Sequence, residues 1–295
     1  MLNAIERRLP LWWRTPLEGV TYAEGPFAGL KPLTVVTGGS DGIGLALAHR
    51  FAAAGHDLLL IARDDARLHA AAADIHARHS VQVLTASVDL TQRGALERLD
   101  AALARAGGYT HILINNAAIG LSGPFAEQAQ NDLAALLDLN VRAFGLLMHH
   151  VLPGMCERGC GGVLNLASLG GYIPGPWQAA YYASKAYVIS LSEAVAAEVA
   201  PRGVRVCALA PGPVETRFHA RMRSESALYR RLLPPLRPET VAWWGYHGFN
   251  LGLRVIVPDL INLLAVLCFK LIPHRITIPI VGWLLRPRGR ETGDA

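Results

Sequence analysis

Lysine is scarce in this chain. Of 28 basic residues only Lys31, Lys185 and Lys270 are lysine, and the arginines are scattered rather than striped. With a net charge of +5 and 17% charged residues, no nucleic-acid surface is expected, although a mild pull toward phosphates or an anionic membrane surface is compatible. Cysteine is sparse as well. The four, at 156, 160, 207 and 268, make no disulfide framework and suit a reducing compartment. Cys156 and Cys160 sit in a glycine-rich link with no second ligand pair, so they read as ordinary thiols and no metal site is expected. Long apolar runs are missing too. The cleanest in the C-terminal stretch, Leu263 to Phe269, is seven residues, far short of the roughly 20 that a spanning helix needs. Glu6, Arg7 and Arg8 interrupt any signal-peptide core, and the expected location is cytoplasmic.

What the chain does have is apolar residues, 52% of 295, enough for a sizeable core in one large domain or two. Its organising stretch is Leu33 to Gly44, L-T-V-V-T-G-G-S-D-G-I-G. A β-branched run ends in glycines at 38, 39, 42 and 44, and an Ala/Leu-rich helical pattern follows to Gly55. Strand, glycine turn and helix suit a dinucleotide pyrophosphate: glycine lets backbone N–H groups approach phosphate oxygens, and the helix N-terminus adds aligned donors. Strands then alternate with helices, as in a parallel sheet with right-handed crossovers. Strands are expected at 33–37, 57–62, 81–87, 112–115, 162–167 and 204–209. Helices are expected to about 54 and over 64–79, 92–106, 126–152 and 179–200, with a further helix at 238–252 and a last strand at 254–257.

Strand two ends in Ala62-Arg63, about 20 residues past the glycines, where an acid would bind the ribose 2′-hydroxyl of NAD. Arg63 instead offers a forked cation for the 2′-phosphate of NADP; its alternative reading is a solvated surface charge. Asp64 and Asp65 belong to the following helix's first turn, where acids suit the dipole. Ser168 closes strand five, Tyr181 follows 13 residues later, and Lys185 stands four beyond that. On a helix Tyr181 and Lys185 share a face. A phenol of pKa about 10 is a poor proton exchanger near neutrality, and a neighbouring ammonium favours its phenolate. A shift of three units would take roughly 4 kcal/mol. Ser168 is placed to hydrogen-bond a substrate oxygen. Tyr182 has Ala186, not a lysine, four residues on.

These motifs together resemble the short-chain dehydrogenase/reductase family: T-G-x-x-x-G-I-G at Thr37–Gly44, Asn115-Asn116-Ala117-Ala118 against the family's N-N-A-G, Y-x-A-S-K at Tyr181–Lys185, and Pro211-Gly212-Pro213-Val214-Glu215-Thr216 against P-G-x-V-x-T. The likeness covers about 33–257, and the nearest branch holds bacterial 17β-hydroxysteroid dehydrogenase- and 3-ketoacyl reductase-like enzymes. It implies one Rossmann-type doubly wound α/β domain with helices on both faces; outside it the chain itself carries a short N-terminal arm and an apolar C-terminal helical tail. It assigns Tyr181 as proton donor or acceptor, Lys185 as its activator, Ser168 as oxygen anchor and Asn140 as support of a water relay. Asn140 also reads as a helix asparagine satisfied by backbone. Implied cofactor contacts are Gly38, Ser40, Asp41, Gly42, Ile43 and Gly44 of the turn, Arg63, Asp89, Leu90, Asn116 and Ala117, then Tyr181, Lys185, Pro211, Gly212, Val214 and Thr216. The implied activity interconverts a ketone and a secondary alcohol on an apolar, acyl- or steroid-like substrate, with NADP(H) preferred, NAD(H) usable, and a homo-oligomer usual. The rival is a non-catalytic dinucleotide-binding sensor or scaffold.

Three stretches lie outside the minimal pattern. Residues 1–30 read as an amphipathic extension, either packed on the domain, as 31–258 is taken to be, or laid on a membrane surface. Residues 213–237 take the place of the family's lid, and 217–237 hold six arginines among Phe218, Met222, Leu228, Tyr229, Leu232 and Leu233. They form either a cover for an apolar substrate or an amphipathic surface helix. The extension 259–295 is too broken by Lys270, Pro273, His274, Arg275 and Pro279 to span a membrane. It reads as two short apolar helices that lie in a membrane interface, cap the cleft or enter a subunit contact.

Overall fold

The computed structural model describes residues 21–218, 222 and 235–286. The amphipathic reading of residues 1–20 and the lid reading of 219–221 and 223–234 lie outside the described residues.

The strands are β1 (Lys31–Thr37), β2 (Leu58–Ala62), β3 (Val83–Ser87), β4 (Gly108–Asn115), β5 (Gly162–Leu166), β6 (Arg205–Leu209) and β7 (Val255–Ile256). They form one parallel sheet in the order β3-β2-β1-β4-β5-β6-β7. Between them run α1 (Gly42–Ala53), α2 (Asp65–Arg78), α3 (Ala95–Arg105), α4 (Gln130–Leu137), α5 (Phe144–Arg158), α6 (Ala179–Val199) and α7 (Pro238–Asn250).

Successive strand side chains point to opposite faces, and both faces are covered, so the strands read as apolar runs. Val36, Leu58, Leu60, Ile112 and Leu164 meet Leu47 and Phe51 of α1, Leu68 and Ile75 of α2, and Val241 and Phe249 of α7. Val35, Leu59, Ile61, Leu113 and Val163 meet Leu99 of α3, Leu147 and Met148 of α5, and Ala196 and Val199 of α6. This is the Rossmann-type architecture, and its strand order reverses between β1 and β4. A crevice therefore opens beyond the carboxyl ends of those strands.

Two expectations need correction. The helix expected over 126–152 is broken: between α4 and α5 the turns widen to π geometry over Asp138–Ala143. Asn140 stands inside that widened turn, held by bonds to a distant loop, and such π segments gather at functional sites. β4 starts four residues earlier than expected, at Gly108, pairing with Lys31–Leu33 before a register shift between Leu33 and Thr34. Tyr109 in that added stretch packs on Tyr22 and Phe27, a long-range contact that no local pattern announces.

The C-terminal stretch forms α8 (Leu260–Leu271) and α9 (His274–Leu285). Asp259 caps α8, its carboxylate accepting from the Asn262 N–H at 2.7 Å. Asn262 and Val266 of α8 are buried, as are Thr277, Val281 and Leu285 of α9, at the i, i+4 spacing of an inward stripe. Val281 and Leu285 pack with Ile173, Trp177, Tyr182 and Phe269 at the crevice. Covering the cleft is thus what the inner face of the tail does. Among the described residues no helix is long and apolar enough to cross a membrane.

Candidate active site

The glycine turn is built by long-range bonds as much as by glycine. Thr37, the last residue of β1, accepts at Oγ1 from the N–H groups of Asn116 (2.9 Å) and Ala117 (3.0 Å). Its hydroxyl donates to the carbonyl of Ile114, and the Asn116 amide donates to the carbonyl of Thr37 at 2.8 Å. The ends of β1 and β4 are locked together at the crevice. Gly38 and Gly42 hold φ of +64° and +55°, where a side chain is strained. Gly44 does not wall the cavity; a Cβ there would collide with the Gly38 carbonyl and the Asn116 amide. Its role is close packing beneath the turn. No side chain caps α1, so its first-turn N–H groups face the crevice without a capping oxygen. An anionic pyrophosphate fits that cradle.

A cavity of about 920 Å³ runs from this turn across the carboxyl ends of the strands. Its wall includes Gly38, Ser40, Asp41, Gly42 and Ile43, then Arg63, Asp89, Leu90, Asn116 and Ala117, and Ser168, Tyr181, Lys185, Pro211, Gly212, Val214 and Thr216. Arg63 is exposed at the end of β2, and Arg67, one helical turn on, shares that part of the wall. Asp64 caps α2 through the Arg67 N–H at 3.1 Å and pairs with the Arg67 guanidinium at 3.1 Å. Burial alone would raise the Asp89 carboxyl. The Thr91 hydroxyl and N–H, with the Arg63 charge, outweigh it and hold the group below its usual value. Across the mouth, Arg217 pairs with Asp41 at 3.0 Å, joining the residue after the Pro211–Thr216 segment to the glycine turn.

Ser168 follows β5 in extended conformation, and its Oγ accepts from the Gly170 N–H at 3.1 Å, which leaves the hydroxyl proton available to a second partner. Tyr181 and Lys185 lie one turn apart on α6, with Lys185 Nζ 5.8 Å from the centre of the Tyr181 ring. Lys185 is buried and donates to the Leu166 carbonyl at 2.7 Å; burial lowers its pKa from 10.5 to about 8. Tyr181 also faces Phe218, with ring centres 5.5 Å apart. Asn140 is buried outside the cavity wall, where Leu139 is the lining residue. Its carboxamide accepts from the Ile119 N–H at 2.9 Å and donates to the Ile119 carbonyl at 2.8 Å and to Ser184 Oγ at 3.2 Å. That side chain braces the loop after β4 against α6.

The wall opposite the glycine turn is apolar: Ile173, Phe218, Met222, and, from the tail, Phe269, Val281, Leu284 and Leu285. Sequence reasoning singled out Phe218 and Met222 but none of these tail residues. It also missed Arg67, which the fold brings to the same wall as Arg63, and Ser184, which was visible inside Y-x-A-S-K.

A model of the short chain dehydrogenase family matches residues 32–227. A short chain dehydrogenase of Pseudocercospora fijiensis is 36% identical over 189 residues, 63% of this chain and 60% of that protein's own length. The very-long-chain 3-oxoacyl-CoA reductase of Bos taurus is 32% identical over 219 residues, 72% of this chain and 69% of that one. A short-chain dehydrogenase from Sphingobium yanoikuyae, solved in complex with NADPH, superposes with a TM-score of 0.71 at 33% identity, over 78% of this chain and 88% of that one.

Proposed function

The chain belongs to the short chain dehydrogenase family of oxidoreductases, and on that premise we propose that it interconverts a ketone and a secondary alcohol on an apolar substrate, with NADP(H) preferred. The observation that carries the substrate class is the apolar wall facing Tyr181 and Ser168, made by Phe218, Met222 and the tail residues Phe269, Val281, Leu284 and Leu285. Pockets of 300–1,000 Å³ hold drug-sized ligands, and this one, at about 920 Å³, is shared between cofactor and substrate. An acyl chain or a steroid-like ring system suits that lining. The bovine relative is named for a very-long-chain 3-oxoacyl-CoA substrate, which is of the same character.

The dinucleotide's pyrophosphate would lie at the uncapped N-terminus of α1, in the Gly38–Ile43 turn. Asp89 and Leu90, which line the same cavity, would flank the adenine end, and Arg63 and Arg67 would offer guanidinium groups to a 2′-phosphate. The Sphingobium relative holds NADPH, which agrees with that choice. The hydride would be supplied or accepted by a nicotinamide bound there. The remaining work falls to the chain. Ser168 gives its hydroxyl proton as a hydrogen bond to the carbonyl oxygen and orients it. Tyr181 delivers its phenolic proton to that oxygen in reduction and takes it back in oxidation. Charged Lys185 favours the phenolate, and its bond to the Leu166 carbonyl fixes where the charge sits. Asn140 holds the π turn and α6 in register, so Tyr181 keeps its aim.

The test is purified protein with NADPH or NADH against steroid ketones, 3-oxoacyl thioesters and small polar carbonyls. NADPH-driven reduction of the bulky apolar ketones should outpace that of the small ones. Tight cofactor binding with no turnover across the panel would instead favour a non-catalytic dinucleotide-binding protein.

A further inference from the structure

The tail is apolar on two sides, and among the described residues only one of them is covered. In α8 the polar residues are Asn262, buried inward, Lys270, and the exposed thiol Cys268. A helix that is hydrophobic all round is ordinarily covered all round. Here Leu264, Leu267 and Leu271 of α8, and Ile276, Ile280 and Trp283 of α9, face outward, with Leu271 81% exposed and Trp283 58% exposed. An apolar face of this extent marks a site of interaction.

The charges around the face choose the occupant. From 260 to 286 the chain has no acidic residue, while Lys270, Arg275 and Arg286 are basic. Lys270 leans over the Tyr172 ring at 5.2 Å and Arg286 over the Trp177 ring at 5.9 Å, which puts both at the seam between tail and body. A second copy seated face to face would bring like charges together, a costly arrangement. An anionic lipid headgroup layer complements the same rim, with indole at headgroup depth and leucine and isoleucine below it.

We propose that α8 and α9 dock the protein on an anionic membrane surface through this outer face, as a peripheral and not a spanning contact. The inner face of the same two helices carries Phe269, Val281 and Leu285 into the cavity wall. An apolar ketone dissolved in the bilayer would then meet the wall of its own site, a consequence that rests on the proposed reaction. Docking itself does not.

The experiment is flotation of the full chain with vesicles of equimolar phosphatidylcholine and phosphatidylglycerol, against pure phosphatidylcholine, at low and high salt. The protein should float with the anionic vesicles at low salt, less with zwitterionic ones, and less as salt rises. The combined variant Leu264→Gln, Leu267→Gln, Ile280→Gln alters exposed residues outside the cavity wall, so its unfolding midpoint should match the parent's. Each lost apolar side chain weakens partition by roughly tenfold, so the three together should weaken it by a hundredfold or more. Should that variant fold poorly, Leu264→Gln alone and the salt series carry the test. Parent protein left in the soluble fraction with anionic vesicles overturns the proposal, as does a variant that binds as well as the parent. A dimer that the variant breaks, with no vesicle binding by the parent, overturns it too and assigns the face to a second copy. Flotation reads no turnover, so its failure and that of the proposed reaction are separate results.

Discussion

The indole N–H of Trp177 donates to the carbonyl oxygen of Gly282 at 2.9 Å, tying the loop just ahead of α6 to α9. Trp177 holds φ of +68°, a left-handed conformation that a bulky residue adopts only when its surroundings insist. Those surroundings are the tail: Trp177 packs with Val281, Leu285 and Tyr182 in one small cluster. The far end of the chain therefore steadies the loop that aims Tyr181.

Trp177→Phe keeps the packing and deletes the donor, at a stability cost of about 1 kcal/mol. KM for an apolar ketone should rise several-fold while NADPH affinity stays put, because the tail meets the substrate wall and not the glycine turn. Steady-state kinetics beside a cofactor titration decide this. Equal losses in both would mean that the tail supports the whole crevice.

Arg63 is the residue proposed to choose the cofactor. NADPH should bind more tightly than NADH, and Arg63→Asp should narrow or invert the gap, since a carboxylate repels the 2′-phosphate and accepts from a free ribose hydroxyl. Fluorescence titration of both cofactors measures it. Equal affinities in the unmodified protein would sink the assignment.

Tyr181 and Tyr182 are adjacent and chemically alike, yet differently placed. Tyr181→Phe should retain cofactor binding and lose turnover by roughly 10²–10⁴-fold, the range of a general acid. Tyr182 packs against Gly170, Gly175 and the tail cluster, so Tyr182→Phe keeps the ring that matters and should change turnover little. Similar kinetics in the two variants would place the catalytic register elsewhere.

Lys185 leaves a mark on stability. Burial lowers its pKa from 10.5 to about 8 in the folded protein, so between those values the unfolded chain holds a proton that the folded chain has released. Stability from this group thus rises as pH climbs through that window, and the full cost of burying the ammonium, of order 3 kcal/mol, is carried below it. In urea unfolding at a series of pH values, the wild-type stability minus that of Lys185→Met should climb from about pH 8 to about 10.5. A flat difference would show that the charge is not buried in solution.

Local order determined most of the framework. Continuous apolar strands buried on both faces, glycines at Gly38 and Gly42 where φ turns positive, and the four-residue step from Tyr181 to Lys185 are all short-range physics written into consecutive residues. The doubly wound parallel sheet was legible from the alternation of strands and helices and from the family motifs, whereas right-handed crossovers alone leave the strand order open. Tertiary structure alone decided three other things. The π turn at Asn140 depends on bonds to Ile119 and Ser184, 21 and 44 residues away in sequence. Whether Arg63 has company depends on where α2 sets Arg67. Above all, the apolar tail was equally consistent with a membrane, a subunit contact or the cleft, because hydrophobic burial is non-directional and composition names no partner. Only packing showed Phe269, Val281 and Leu285 turned into the cavity, with residues such as Leu264, Leu271 and Ile280 of the same helices exposed on the opposite face.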